Sequence, residues 1–165
     1  HVPVGADQKQ HLELCRDIAQ KFNNDFKKEI FPIPEPLIQK NISRVMSLRD
    51  GTKKMSKSDE SNYSRIDLKD SADEIVKKIK KAKSDSSAIP DNIKDLEKKP
   101  EALNLINIYA DLTKITLEKA LIELAGKEYS FLKNKLSEAL VEVICPVGKK
   151  MQEYLKDKGF LVKVL

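Results

Sequence analysis

Apolar residues recur every three or four positions along much of the chain, and that period predicts helices. Leu12, Cys15, Ile18, Ala19, Phe22 and Phe26 share one face of a helix over residues 7–26, which places Cys15 in the core. Asp7 with Gln10 offers a capping box at its start. Just upstream, Val2-Pro3-Val4-Gly5 reads as the tail of a strand. Pro32, Pro34 and Pro36 interrupt every regular pattern and predict an extended connector. A short strand or turn at residues 44–48 leads into Arg49-Asp50-Gly51-Thr52, a turn string. Residues 53–64 have no apolar period and predict a loop.

The second part of the chain is helical. Ser71 and Glu74 form a capping box for a helix whose stripe is Ala72, Ile75, Val76, Ile79 and Ala82. Lys77, Lys78, Lys80 and Lys81 occupy its other face, expected to be solvated or to touch nucleic-acid phosphate. Residues 84–99, with Pro90, predict a mobile polar loop. Three helices follow, over residues 101–112, 116–125 and 130–144, with Gly126 stopping the second. The first turns Leu105, Ile108, Tyr109 and Leu112 inward; the third buries Leu132, Leu136, Ala139, Leu140 and Val143. Pro146 is placed to open a fourth as its first residue, packing Val147, Met151, Tyr154 and Leu155 and ending at Gly159. A loop-rich part, residues 1–68, thus precedes a helical part, residues 69–165.

Composition narrows the picture. With 165 residues, 40% of them apolar, the chain can build a core. No apolar run approaches the ~18 residues of a membrane helix, so a transmembrane protein is not expected. Two cysteines and two histidines, widely dispersed, fit neither a disulfide scaffold nor a zinc site, and a reduced, cytoplasmic protein is the simplest expectation. The net charge of +5, from 31 basic and 26 acidic residues, suits a polyanionic partner without requiring one. Beginning within a strand and stopping within an apolar run, the chain is expected to be part of a longer protein.

The sharpest chemistry lies in Lys54-Met55-Ser56-Lys57-Ser58. Two ammonium groups and two hydroxyls in one short segment beside a glycine turn suit a polyphosphate, because mobile cations and N–H or O–H donors match its oxygens. A solvated Lys/Ser loop is the bland alternative. His11 reads as a surface or packing residue.

That string resembles the KMSKS signature of class I aminoacyl-tRNA synthetases. Its frame, Arg44-Val45-Met46-Ser47-Leu48 through Thr52-Lys53-Lys54-Met55-Ser56-Lys57-Ser58-Asp59, is similar to the tryptophanyl branch. Val2-Pro3-Val4-Gly5-Ala6-Asp7-Gln8-Lys9-Gln10-His11 resembles the G-x-D-Q segment of the same branch, and Asn107-Ile108-Tyr109 after Lys99-Pro100 matches it further along. The resemblance implies a mainly α chain: the C-terminal end of a class I Rossmann-type α/β catalytic domain, then an α-helical domain of the anticodon-binding type. It implies ATP as substrate with Mg2+, L-tryptophan and tRNA(Trp) as partners, a homodimer, and no protein-bound metal.

Residue by residue, the resemblance implies that Gly5, Ala6, Asp7 and Val45 serve the ATP site, with Asp7 toward the ribose and the Val45 backbone toward adenine. Lys54, Met55, Ser56, Lys57 and Ser58 would hold the triphosphate, Lys54 and Lys57 acting catalytically. Gln8, Val2 and Val4 would meet tryptophan, although on sequence alone two such valines are more often simple core. Family members usually have Pro where Gly51 stands and Gly where Glu101 stands. The first change predicts a more flexible loop hinge; the second is expected to matter only to a helix start. The HIGH-type motif is absent from these residues, so they alone are not expected to activate an amino acid. The tyrosine enzyme of the same subclass and a non-catalytic tRNA-binding relative are the alternatives.

Overall fold

The computed structural model describes residues 2–5, 8–37 and 44–164. They form two compact units, His1–Arg44 and Val45–Leu165. His1, Ala6 and Asp7, and with Asp7 its capping box, lie outside the described residues.

In the first unit, β1 (Val2–Pro3) and β2 (Pro36–Leu37) pair in parallel, Val2 opposite Pro36 and Pro3 opposite Leu37. α1 (Lys9–Asp25) joins them, as a parallel pair requires a crossover. Pro36 is therefore in a strand, where the connector was expected to be irregular. The ladder explains it: Val2 N–H donates to the Glu35 carbonyl at 2.8 Å and Val4 N–H to Leu37 at 3.3 Å. Both acceptors flank Pro36, so its missing N–H costs nothing there. Gln8 is the N-cap of α1, with no side-chain capping bond.

α1 buries only Ala19; Leu12 and Phe22 are half-buried. Cys15 and Phe26 are exposed, and Ile18 is 61% exposed, against the expectation that they line a core. Within this unit, two strands of two residues are too small to cover one face of a 17-residue helix. Its C-terminal end is better held, with the Phe22 ring 4.5 Å from Phe26 and 4.9 Å from Phe31 between centroids.

The second unit is a helical assembly built on α6. Its helices are α2 (Ala72–Lys80), α3 (Ile93–Glu97), α4 (Pro100–Thr113), α5 (Leu117–Leu124), α6 (Tyr129–Lys156) and α7 (Lys158–Val164). α6 packs against α2 and α4, while α4 also packs against α3 and α5. Ile75, Ile79, Leu96, Leu105, Ile106, Leu124, Leu132 and Leu136 form a shared core. Lys133 closes the end of α2, donating to the carbonyls of Lys80 at 3.2 Å and Ala82 at 2.7 Å. A cation there complements the negative end of the helix dipole.

Several expectations are corrected. Residues 84–99 contain α3 and bury Ile89 and Leu96, because an isolated apolar residue suffices to pin a polar segment. Ile89 also exchanges backbone bonds with Gly126 and Lys127, at 2.9 and 3.0 Å. Gly126, at φ +70°, takes the left-handed conformation that ends the turn after α5. Pro146 lies inside α6 instead of starting a helix. An interior proline forfeits one backbone bond and strains the turn, yet the helix continues across it and buries Gly148. A Cβ at Gly148 would stand 2.7 Å from the Leu68 carbonyl oxygen, so only glycine allows that approach. Val143, Val147, Tyr154 and Leu155 are exposed, although the Phe160 ring of α7 stacks on Tyr154 at 5.1 Å, and Gly159 lies within α7.

Candidate functional site

The signature string stands on a β-hairpin that the sequence half-predicts. Met46 and Lys54 form an antiparallel bridge, with Ser47 N–H donating to Lys53 at 2.8 Å and Met55 N–H to Val45 at 3.1 Å. Asp50 builds the turn: its carboxylate accepts from Thr52 N–H at 3.0 Å and from the Thr52 hydroxyl at 2.6 Å. Those bonds hold the Asp50 carboxyl below its ordinary range. Within the string, Met55 is the half-buried residue and packs on the helical core. Lys54, Ser56, Lys57 and Ser58 remain exposed. One apolar residue thus pins the string while its cations and hydroxyls face outward. Ser56 and Ser58 hydroxyls lie 2.8 Å apart, and Ser58 N–H donates to Ser56 Oγ at 3.2 Å, curling the segment.

Two posts hold the ends of this loop. Upstream, Met46 N–H donates to Asn104 Oδ1 and Asn104 Nδ2 donates to the Met46 carbonyl, both at 2.9 Å. Gly51 is buried against the start of α4, where a Cβ would stand 2.5 Å from the Pro100 carbonyl carbon and the Glu101 nitrogen. The Glu101 carboxylate pairs with Lys83 at 2.6 Å. The lysine, then its own N–H and that of Gly51, hold the Glu101 carboxyl below the usual range against the opposing effect of burial. The expectation of a looser hinge at Gly51 is therefore corrected. The absence of a Cβ lets the turn dock against the start of α4, where Glu101 pairs with Lys83.

Downstream, Leu48 N–H donates to the Ser64 carbonyl at 2.9 Å, joining the hairpin to a 3-10 turn at Asn62–Ser64. Arg65 donates to the Asp59 carbonyl at 3.0 Å and to Asn62 Oδ1 at 2.6 Å. Lys78, only 7% exposed, pairs with Asp70 at 2.5 Å and Asp67 at 3.7 Å. Lys78 is thus not on a solvated face; its long stem turns back to two acids that the sequence places nearby. Lys81 lies 4.3 Å over the Tyr63 ring, and Lys77 and Lys80 are exposed.

The remaining predicted residues belong to the first unit. Gly5, two residues past β1, is exposed, and its carbonyl accepts from the N–H of Gln8, the N-cap of α1, at 3.0 Å. Val4 is half-buried, whereas Val2 and Gln8 are exposed. Ala6 and Asp7 lie outside the described residues. A glycine between a parallel strand and a helix N-terminus is a place where nucleotides bind in open α/β sheets. Sequence reasoning missed Asn104, Glu101 and the pairing of Lys78. For Asn104 a signal exists: it stands four residues before Ile108, on a face expected to be apolar.

A family model described as tRNA synthetases class I (W and Y) matches residues 1–144. The tryptophan–tRNA ligase of Caulobacter vibrioides is 52% identical over 166 residues, covering 100% of this chain and 48% of that protein. That of Rickettsia felis is 48% identical, covering 99% of this chain and 49% of its own length. A solved tryptophanyl-tRNA synthetase from Mycoplasma pneumoniae matches with TM-score 0.69 and 35% identity, over 91% of this chain and 47% of its own. The Campylobacter jejuni enzyme complexed with ADP and tryptophan matches with TM-score 0.63 and 30% identity, over 99% and 49%. This chain spans about half the length of the curated relatives it matches.

Proposed function

The chain belongs to the class I tRNA synthetase family of the tryptophan and tyrosine enzymes, and from that premise we propose that the full-length protein is a tryptophan–tRNA ligase. The observation that carries the reading is the exposed Lys54, Ser56, Lys57 and Ser58 on a hairpin pinned by Met55. The identity to tryptophan–tRNA ligases along the whole chain favours tryptophan over tyrosine.

The reaction has two steps. A carboxylate oxygen of L-tryptophan attacks the α-phosphorus of Mg·ATP, the bond to the bridging oxygen breaks, and pyrophosphate leaves. A terminal adenosine hydroxyl of the tRNA then attacks the aminoacyl carbonyl, and AMP leaves. Neither step needs a covalent enzyme nucleophile; positioning and charge stabilisation suffice. Lys54 and Lys57 neutralise the charge growing on pyrophosphate, and the Ser56 and Ser58 hydroxyls donate to its oxygens. The Val45 backbone meets adenine, while Gly5, Ala6 and Asp7 serve the ribose side. Gln8, Val2 and Val4 line the tryptophan site. In this reading residues 1–68 complete a Rossmann-type catalytic domain and residues 69–165 form the anticodon-side helical domain of a cytoplasmic homodimer.

Pyrophosphate exchange by the full-length protein, with tryptophan and tyrosine in parallel, tests the reading. Exchange with tryptophan alone is expected, and Lys57→Ala should lower it by roughly 100-fold or more while tRNA affinity holds. Exchange with tyrosine alone would assign the other branch. Exchange with neither, from folded protein that still binds tRNA, would leave a tRNA-binding relative.

A further inference from the structure

Asn104 does more than fill a place in the helical core. In the hairpin, Val45 and Ser47 spend a backbone group each on the partner strand. Backbone polar groups alternate along a strand, so those of Met46, between them, point to the opposite edge. There they would meet water. Instead one side-chain amide takes both, at 2.9 Å each. Asn104 is 4% exposed and rides on the second turn of α4, which packs against α5 and α6. The strand edge is thereby fixed to the helices instead of to the loop it carries.

Only an amide of this length offers one acceptor and one donor to a single residue's backbone. Aspartate keeps the acceptor but sets a second oxygen against the Met46 carbonyl. Alanine takes away both side-chain partners of the Met46 backbone groups. The consequence reaches two residues of the nucleotide site. Val45, 40% exposed, is the adjacent residue of the same strand, so its position follows from the same two bonds. Lys54 sits across the bridge from Met46, so its height above the core is set by the same ring.

We propose that Asn104 is a positioning residue for ATP: its two-bond ring with Met46 sets the Val45 edge and the first signature lysine together. This rests on the proposed function. Asn104 touches no substrate and acts only through Met46.

The test uses the full-length protein and begins with the wild type in pyrophosphate exchange with tryptophan. Asn104→Ala should lower kcat/KM for ATP by about 100-fold, the scale at which a misplacement of about 1 Å is felt. The KM for tryptophan and the Kd for tRNA should stay within about two-fold, by the same local argument. Asn104→Asp, which keeps the size and one bond, should show the same split with a smaller loss and provides the measurement if the alanine variant does not fold. A loss shared equally by ATP and tryptophan, a loss that only tracks unfolded protein, or no loss in either variant would overturn the proposal. If the wild type exchanges with neither amino acid, the functional reading falls, and the clamp is judged on a fluorescent ATP analogue. Weakening of about ten-fold or more at unchanged melting temperature supports it; equal affinity or no binding by either protein overturns it.

Discussion

Asn23 and Asn104 solve the same problem in the two units, with opposite surroundings. Asn23 Oδ1 accepts from Ile30 N–H at 2.9 Å and Phe31 N–H at 3.0 Å, and its amide donates to the Phe31 carbonyl at 2.8 Å. That is one more bond than Asn104 makes, yet it closes an exposed connector. Water can replace each of those bonds when they break, so their net worth is small. The Asn104 ring is built on a side chain only 4% exposed, where water has less access. Ion pairs divide in the same way: Lys21–Asp25, at 2.9 Å, stands on an open helix face, while Lys78–Asp70 is closed in. Burial, not the number of bonds, decides which contacts hold the molecule.

The strongest way to break that distinction is at Asp70. Asp70→Ala leaves Lys78 buried with only the more distant Asp67, and removing one partner of a buried pair costs about 3–5 kcal/mol. The double variant Asp70→Ala/Lys78→Met should recover most of the loss, because the charge that needed a partner is gone. Chemical denaturation of the full-length protein, followed by amide exchange in α2, reads both. Equal losses in the single and double variants would place the loss in the Asp67 N–H bond that Asp70 also accepts, at 2.9 Å, and not in the ion pair. Lys21→Ala provides the contrast on the open helix face.

The course of the chain explains what sequence could and could not yield. Helix periods located α1, α2, α4 and α5 within a few residues because one face of each repeats locally. Cys15, Ile18 and Phe26 follow that period as well, but burial needs a second surface, and periodicity alone does not say whether one exists. Ile89 and Leu96 were hidden in a polar stretch, since two separated apolar residues make no pattern. At the site, the residues expected to face phosphate were legible because Lys54-Met55-Ser56-Lys57-Ser58 is contiguous. Their supports were not. Asn104 lies 58 residues from Met46, and Glu101 meets Gly51 across a similar gap. Such contacts are written in three dimensions only. Glu101 and Gly51 were legible as two separate oddities; their meeting makes them one feature.

That feature supplies the next, smaller effect. The Glu101 carboxyl is held low by Lys83 and by N–H groups, and Lys83 is raised in turn by Glu101. For an acid with a lowered folded-state value, the stabilisation is complete above its unfolded value, near 4.5, and disappears as pH falls through the folded one. The raised lysine makes its contribution below its unfolded value of 10.5 and loses it as pH rises through the folded one. The hairpin turn should therefore be tightest between these limits. Amide exchange over residues 48–55, corrected for intrinsic rates, should quicken below about pH 4.5, and Glu101→Ala should exchange about several-fold faster at neutral pH with little further change on acidification. A pH response unchanged in Glu101→Ala would place the effect in Asp50, whose carboxyl is also held low.

The smallest effect belongs to Asn23, and it sharpens the comparison most. Asn23→Ala removes three bonds, where Asn104→Ala removes two. If bond number governed stability, the first variant would be the weaker protein. If burial governs it, Asn23→Ala should cost about 1 kcal/mol or less, with the freed N–H groups of Ile30 and Phe31 turning to solvent. Denaturation midpoints of the two variants in the full-length protein decide between these orders. A larger loss at Asn23 than at Asn104 would mean that the connector it ties, with Phe31 held against Phe22, carries packing that its exposed surface conceals.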